Sequence, residues 1–265
     1  MKNYYQSNKA FWDEKVSYHE KSDFYRLDDF KKGWNSLKEI ELKGLGDVSG
    51  KSLLHLQCHF GQDTLSWARM GAEVTGVDIS PKAIQLAREL NNELGLNANF
   101  VESNILELDG KLNQQYDIIF TSYGSICWLG DLEKWAEIIQ NHLKPGGIFF
   151  IADFHPILNM FDWESGKIGF PYFYNEEPSF EVIEGTYADS EAPISGTEYF
   201  WFHPISKVTN LLIQQGLILE AFDEFPYSPY NCFPNLEQKA EDVYVYKLTK
   251  HPLPHVYSLK MKKEK

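Results

Sequence analysis

Short apolar runs alternate with amphipathic stretches between residues 53 and 151. Leu53-Leu54-His55-Leu56 has the length and composition of a buried strand. Glu73-Val74-Thr75-Gly76-Val77 is a second strand and ends on Asp78. Ala98-Asn99-Phe100-Val101, residues 116–120 and residues 148–151 supply three more. Helical stretches lie between them. One covers 63–70, with Gly71 as a left-handed cap. The next opens with Ser80 at the N-cap and Pro81 at the first helical position. Its apolar face is Ala83, Leu86, Ala87 and Leu90, with Ile84 at the edge, and Gly95 can end it. A third helix places Leu132, Trp135, Ala136, Ile139 and Leu143 on one face. Lys144-Pro145-Gly146-Gly147 then turns into the fifth strand. Strands alternating with helices predict a doubly wound α/β architecture, with a mostly parallel sheet covered on both faces.

The pattern changes on either side. Residues 1–45 mix polar residues with Phe11, Trp12, Tyr18, Phe24, Tyr25, Phe30 and Trp34, and read as helical pieces that cover something. Residues 154–203 are rich in aromatics, Trp163, Tyr174 and Trp201 among them, and 181–187 could pair with 197–202 as two extra strands. A helix at about 205–215, capped by Gly216, returns to the alternation. The sixth strand is read at 217–222 and the seventh at 242–248. This divides the chain into a helical cap at 1–45, a main domain at 46–249 with an inserted lid at 154–203, and a tail at 250–265.

Composition narrows the function. A length of 265 residues, 43% hydrophobic and 15% aromatic, suits a packed core. No run approaches the ~18 apolar residues of a membrane span, and the N-terminus lacks the apolar core of a signal peptide. A net charge of −13 disfavours a nucleic-acid backbone as partner. Cys58, Cys127 and Cys232 show no metal-type spacing and leave an odd thiol, which fits a reducing cytoplasm. No metal site is expected.

The segment 53–80, LLHLQCHFGQDTLSWARMGAEVTGVDIS, holds the chemistry. Gly61 allows close backbone approach at the turn. The helix after it offers free N–H groups at its positive end. Asp78, at the tip of the second strand, can accept two hydrogen bonds from a ribose diol.

This segment resembles motif I and the following acidic strand end of class I S-adenosylmethionine-dependent methyltransferases, in a variant subgroup carrying LHLQCHFGQDT. The family's acidic position falls on His55, and its three glycine positions fall on Gln57, His59 and Gly61. The turn before the fifth strand also resembles the family's Leu-x-Pro-Gly-Gly. The resemblance spans 53–248 by order of elements. It implies a seven-stranded Rossmann-like methyltransferase fold, with the seventh strand antiparallel, S-adenosyl-L-methionine as cofactor, and a small-molecule nucleophile as acceptor. It implies cofactor contacts at Gln57, Cys58, His59, Gly61, Asp78 and Ile79, and at Ser103, Asn104 and Ile105 after the third strand, where Asn104 stands in for an acidic residue facing adenine. Thr121 joins them at the end of the fourth strand.

Tyr123 and His155 follow the fourth and fifth strands, on the ligand edge of the sheet. They are the candidate catalytic residues, with His155 the first choice for a base. Tyr25, Trp201 and His203, from the two covering segments, are candidate substrate contacts. Two rivals remain open. An NAD(P)-dependent oxidoreductase shares the ribose-binding acid but needs a Gly-x-Gly-x-x-Gly loop, which Gln57 and His59 interrupt. A non-catalytic module sensing S-adenosylmethionine or S-adenosylhomocysteine would tolerate the altered loop. Monomer and homodimer are both left open.

Overall fold

The computed structural model describes residues 4–162, 165–173 and 177–265. Trp163 and Tyr174 of the lid lie outside them. The chain begins with α1 (Tyr4–His19), α2 (Leu27–Lys31) and α3 (Glu39–Leu45). Then come β1 (Ser52–Leu56), α4 (Gln62–Arg69), β2 (Glu73–Asp78), α5 (Pro81–Glu93), β3 (Asn99–Glu102), β4 (Tyr116–Thr121), α6 (Leu132–His142) and β5 (Leu143–Phe154). The hairpin β6 (Ser179–Glu184) and β7 (Ser195–Phe200) precedes α7 (Ile205–Gln214) and β8 (Leu217–Phe225). β9 (Leu236–Ala240), β10 (Val243–Tyr246) and β11 (Val256–Lys263) finish the chain.

Seven strands form one sheet in the order β3-β2-β1-β4-β5-β11-β8. β1 to β5 pair in parallel, and β11 runs antiparallel to both β5 and β8. This is the Rossmann-like methyltransferase fold. Alternation along each strand sends side chains to two cores. Leu54, Ile119 and Phe149 pack with Trp135 and Ile139 of α6 and Val208 and Leu212 of α7. Leu53, Ile118 and Phe120 pack on the other face with Trp67 of α4 and Ile40 of α3. Ser80 caps α5 as read, its hydroxyl accepting from the Ala83 N–H at 3.1 Å.

Two expectations fail. The seventh strand is 256–263, not 242–248. The latter segment closes locally: β10 pairs antiparallel with β9 across a turn where Asp242 takes a φ of +53°, in a separate two-stranded sheet. The supposed tail is therefore an interior strand of the main sheet, with Val256, Tyr257, Leu259 and Met261 buried. Two of its lysines are tied down rather than solvated. Lys260 donates to the Gly44 carbonyl at 3.0 Å, and Lys263 donates to the Gln140 and Leu143 carbonyls at the end of α6.

The N-terminal segment and the lid hairpin also form one unit. Asn8 of α1 brackets Tyr199 of β7, donating to its carbonyl at 2.7 Å and accepting from its N–H at 2.9 Å. Lys15 of α1 pairs with Glu198 of β7 at 2.6 Å, both buried. A buried pair of this kind is weak evidence of stability, but losing one partner strands a charge. It fixes where the hairpin sits on the helix.

Candidate active site

A cavity of about 430 Å³ opens at the carboxyl ends of the parallel strands. The sheet edge is its floor. Its roof comes from α1, the segment after it, the lid hairpin, and the loop between β8 and β9.

The loop after β1 shapes the floor. Gln57, His59 and Gly61 have φ values of +57°, +51° and +81°. All three positions that the family fills with glycine keep the left-handed backbone here, two of them with side chains. Each non-glycine residue in this region costs about 1–2 kcal/mol. Side-chain contacts offset that cost. Gln57 Nε2 donates to the Ser125 carbonyl at 2.8 Å, and His59 Nε2 lies 3.0 Å from His19 Nδ1. Gly61 has no such latitude, because a Cβ there would meet Phe100 at 2.6 Å and Ala87 at 3.1 Å. The glycine that survives is the one whose side chain would collide with the core.

Asp78 closes the loop from the next strand. One carboxylate oxygen accepts from the His59 N–H at 2.8 Å, the other from the Ser80 N–H at 2.9 Å. Burial raises its pKa and the backbone donors lower it. The carboxylate lines the cavity with lone pairs to spare. Cys58, Ile79, Ser103, Asn104 and Ile105 line it as well. Asn104 Oδ1 caps the short turn at Ile105–Glu107 by accepting from the Leu106 N–H at 3.1 Å. That turn aims the amide into the site.

His55 replaces a carboxylate by a neutral bridge. Its Nδ1 lies 2.8 Å from Thr64 Oγ1 and its Nε2 3.2 Å from Ser122 Oγ, joining β1 to α4 and β4. Burial pushes its pKa down to about 3. Tyr123 lines the cavity, and its hydroxyl donates to Glu41 Oε2 at 2.8 Å. Glu41 is fully buried, and its other oxygen accepts from the Lys38 N–H at 2.8 Å, capping α3. Burial, then the charge of Asp63, raises Glu41 to about 7.

Two assignments are corrected. His155 does not line the cavity. Its ring turns to the β5–β11–β8 side, where Nε2 lies 2.9 Å from Glu224 and Nδ1 accepts from the Ile157 N–H at 3.1 Å. Both nitrogens are engaged in fixing the strand end, so His155 is no base. Thr121 is fully buried within β4 and does not reach the cavity either. Tyr25, Trp201 and His203 do line it. Tyr25 meets the Tyr187 hydroxyl, Trp201 stacks on Tyr5 with centroids 5.8 Å apart, and His203 Nε2 bonds the Leu129 carbonyl at 2.7 Å.

The sequence reading passed over Lys15, His19, Glu41, Asp63 and Tyr230. A signal existed for α1. Asn8, Lys15 and His19 lie at i, i+7 and i+11, a polar stripe on the face that also carries Phe11. Asp153 accepts from the Phe154 N–H at 2.7 Å and from the Gly124 N–H, which holds the loop under Tyr123. Among the described residues no group of three His, Cys, Asp or Glu could hold a metal ion.

Residues 53–147 match a protein family described as a methyltransferase domain. The family's match takes in about a third of the chain. It ends at the turn before the main run of β5. A ubiquinone biosynthesis O-methyltransferase from Klebsiella pneumoniae is 32% identical over 107 residues, 40% of this chain and 44% of that protein. The chain spans about half the length of the curated relatives it matches. Among solved structures, the PH0226 protein from Pyrococcus horikoshii superposes with a TM-score of 0.60 at 17% identity, covering 92% of this chain and 95% of that one. The DhpI–SAH complex gives 0.58 at 16% identity, covering 100% and 98%. Both likenesses speak to the fold, and the residues matched by the family model include the loop and strand ends that form much of the cavity floor.

Proposed function

We propose that the chain is an S-adenosylmethionine-dependent methyltransferase acting on a small-molecule nucleophile. The observation that carries this reading is Asp78. A half-buried carboxylate at the tip of β2 faces a loop with three left-handed residues and braces it through the His59 N–H. The cofactor's ribose diol fits that carboxylate, and its adenine fits Asn104 and Ile105. Ser103, Cys58, Ile79 and the backbone of Gln57 and Gly61 complete the cradle. Relatives of similar sequence are named as methyltransferases, and one solved neighbour is an S-adenosylhomocysteine complex.

Bound S-adenosylmethionine supplies an electrophilic methyl group on a sulfonium. The chain's own work is to align the acceptor and keep water out. Tyr25, Trp201 and His203 are placed to wall the acceptor's side. Tyr123 is placed to take an acceptor proton on its hydroxyl oxygen while passing its own to Glu41. No helix among the described residues is long and apolar enough to cross a membrane. We read the free thiols Cys58, Cys127 and Cys232 as those of a cytoplasmic protein.

Thermal denaturation with added ligands tests the cofactor. S-adenosylhomocysteine at about a hundredfold its Kd stabilises by roughly 2.7 kcal/mol, a rise of roughly 5–10 °C at this size. NAD is expected to do nothing. A rise with NAD and none with S-adenosylhomocysteine would overturn the reading.

A further inference from the structure

Tyr257 stands at the start of β11, in the segment that reads as a tail in the sequence. It pairs across the sheet with Asp153 of β5, so the two side chains lie side by side on one face. Further along that face come Leu259, Met261, Ile151 and Phe149, all buried in the core shared with α6 and α7. Tyr257 itself is 1% exposed, yet it lines the cavity. Its ring belongs to the core. Its hydroxyl bonds no described residue and, unlike the Tyr116 hydroxyl, is not sealed off. The hydroxyl therefore opens on the cavity.

Burial, then the Asp153 charge, raises the Tyr257 pKa. The phenol keeps its proton and presents a donor. Asp153 is turned to the loop after β4, where it accepts from the Gly124, Ile126 and Phe154 N–H groups.

Position decides what this donor serves. The cofactor contacts proposed above lie on β1, β2 and β3 and the loops after them. β4 and β5 stand between β1 and β11, which sets Tyr257 about 14 Å from β1 at the usual strand spacing. It is on the acceptor's side of the cavity.

Charge decides the group it would bind. Among the described residues the lining holds two lysines, and both are paired: Lys9 with Glu102 at 3.0 Å and Lys15 with Glu198 at 2.6 Å. Asp153 has no ion-pair partner among the described residues. An anion bound to Tyr257 would be buried beside the Asp153 charge with no free cation to offset it. A neutral oxygen meets no such penalty. The rings of Trp12, Trp128 and Trp201 on the same lining suit a flat, uncharged body.

We propose that Tyr257 is a substrate-binding residue whose hydroxyl donates to a neutral carbonyl or hydroxyl oxygen of a flat acceptor, in a site that turns anionic acceptors away. The proposal rests on the methyl-transfer reading above, which sets the cofactor over β1 to β3.

Three probes test it by ligand-observed magnetic resonance on protein saturated with S-adenosylhomocysteine. Acetophenone carries a neutral carbonyl, ethylbenzene has a methylene in its place, and benzoate carries an anion. Wild-type protein should bind acetophenone about tenfold tighter than either of the others. Tyr257→Phe keeps the ring, and it should weaken acetophenone about tenfold while leaving ethylbenzene within about twofold. Its melting temperature without ligand should not fall, because no bond inside the protein is lost. Equal wild-type affinity for acetophenone and ethylbenzene, or selectivity that survives in Tyr257→Phe, overturns the oxygen contact. Benzoate bound as tightly as acetophenone overturns the exclusion of anions. A lower melting temperature in ligand-free Tyr257→Phe, with all three probes weakened alike, would make the hydroxyl structural and overturn its role in binding. Wild-type protein that S-adenosylhomocysteine does not stabilise would instead defeat the cofactor reading, before any probe is added.

Discussion

The floor and the roof of the cavity are built in different ways. On the floor, polar side chains lean on backbone groups close by: Asp78 on the His59 and Ser80 N–H, Asn104 on the Leu106 N–H, Asp153 on the Phe154 N–H. In the roof, side chains meet side chains from remote segments. Lys15 and Glu198 are 183 positions apart and Tyr25 and Tyr187 162, while His19 reaches down to His59 of the floor, 40 positions on. A floor held by strand ends and turns is a property of the fold. A roof held by such pairs belongs to this chain, and together with Tyr257 of the floor it supplies the groups that would choose an acceptor.

The comparison predicts that harm to the floor's sheet is global. Removing residues 251–265 takes β11 out from between β5 and β8. Both neighbours lose their ladders, and four buried apolar side chains go with them. At roughly 1.5–3 kcal/mol per side chain, that alone rivals the whole stability of a domain. The truncated chain is expected to be unfolded by circular dichroism. A cooperative native-like melt would mean that this strand is an accessory, as a tail would be.

Damage to a single floor residue is expected to be local but large. Asp78→Ala removes both the ribose acceptor and the brace on the His59 N–H. Charge-assisted hydrogen bonds of this kind are worth about 1.5–3 kcal/mol each, so S-adenosylhomocysteine affinity should fall by more than about tenfold. The melting temperature without ligand should also fall somewhat, because the His59 and Ser80 N–H lose their acceptor, so affinity is compared at a temperature where both proteins are folded. Unchanged affinity by titration would reduce Asp78 to a cap on α5 and erase the functional contrast between floor and roof.

Legibility follows the same division. The Leu53–Ile151 alternation, the Ser80-Pro81 start and Asp78 could be read because the rules behind them are local. The seventh strand was misread because Asp242–Leu248 has the stronger strand pattern, yet finds its partner a few residues back. Val256–Lys263 carries alternating lysines that look solvated, and only the fold supplies their carbonyl partners. His155 was misjudged for a related reason. Position after β5 puts a residue on the ligand edge, but β11 and β8 draw the ring away to Glu224. The loop hid its likeness differently. The sequence shows residue types, while the loop's shape rests on a left-handed backbone, which Gln57 and His59 adopt with the help of Ser125 and His19.

The finest test falls on Tyr123–Glu41, a side-chain pair from remote segments like those of the roof, where cap and function can be separated. The folded pKa of Glu41, about 7, lies above its unfolded value. The proton is held more tightly in the folded state. Its contribution to stability is thus complete at acid pH, and is lost as pH rises from the unfolded pKa near 4.5 through about 7. Glu41→Gln keeps the cap on Lys38, because glutamine serves equally at that position, and it cannot ionise. The variant should therefore gain on the wild type in melting temperature from pH 5 to pH 8, levelling off beyond that. The buried histidines titrate in both proteins and cancel from the difference. Relief of charge on Asp63 adds to it with the same sign, since Asp63 and Glu41 repel. A difference that stays flat with pH would show that Glu41 already carries no extra proton when folded. It would then hold a proton no better than a free carboxylate, and would be a weak receiver for the proton that Tyr123 is proposed to pass on.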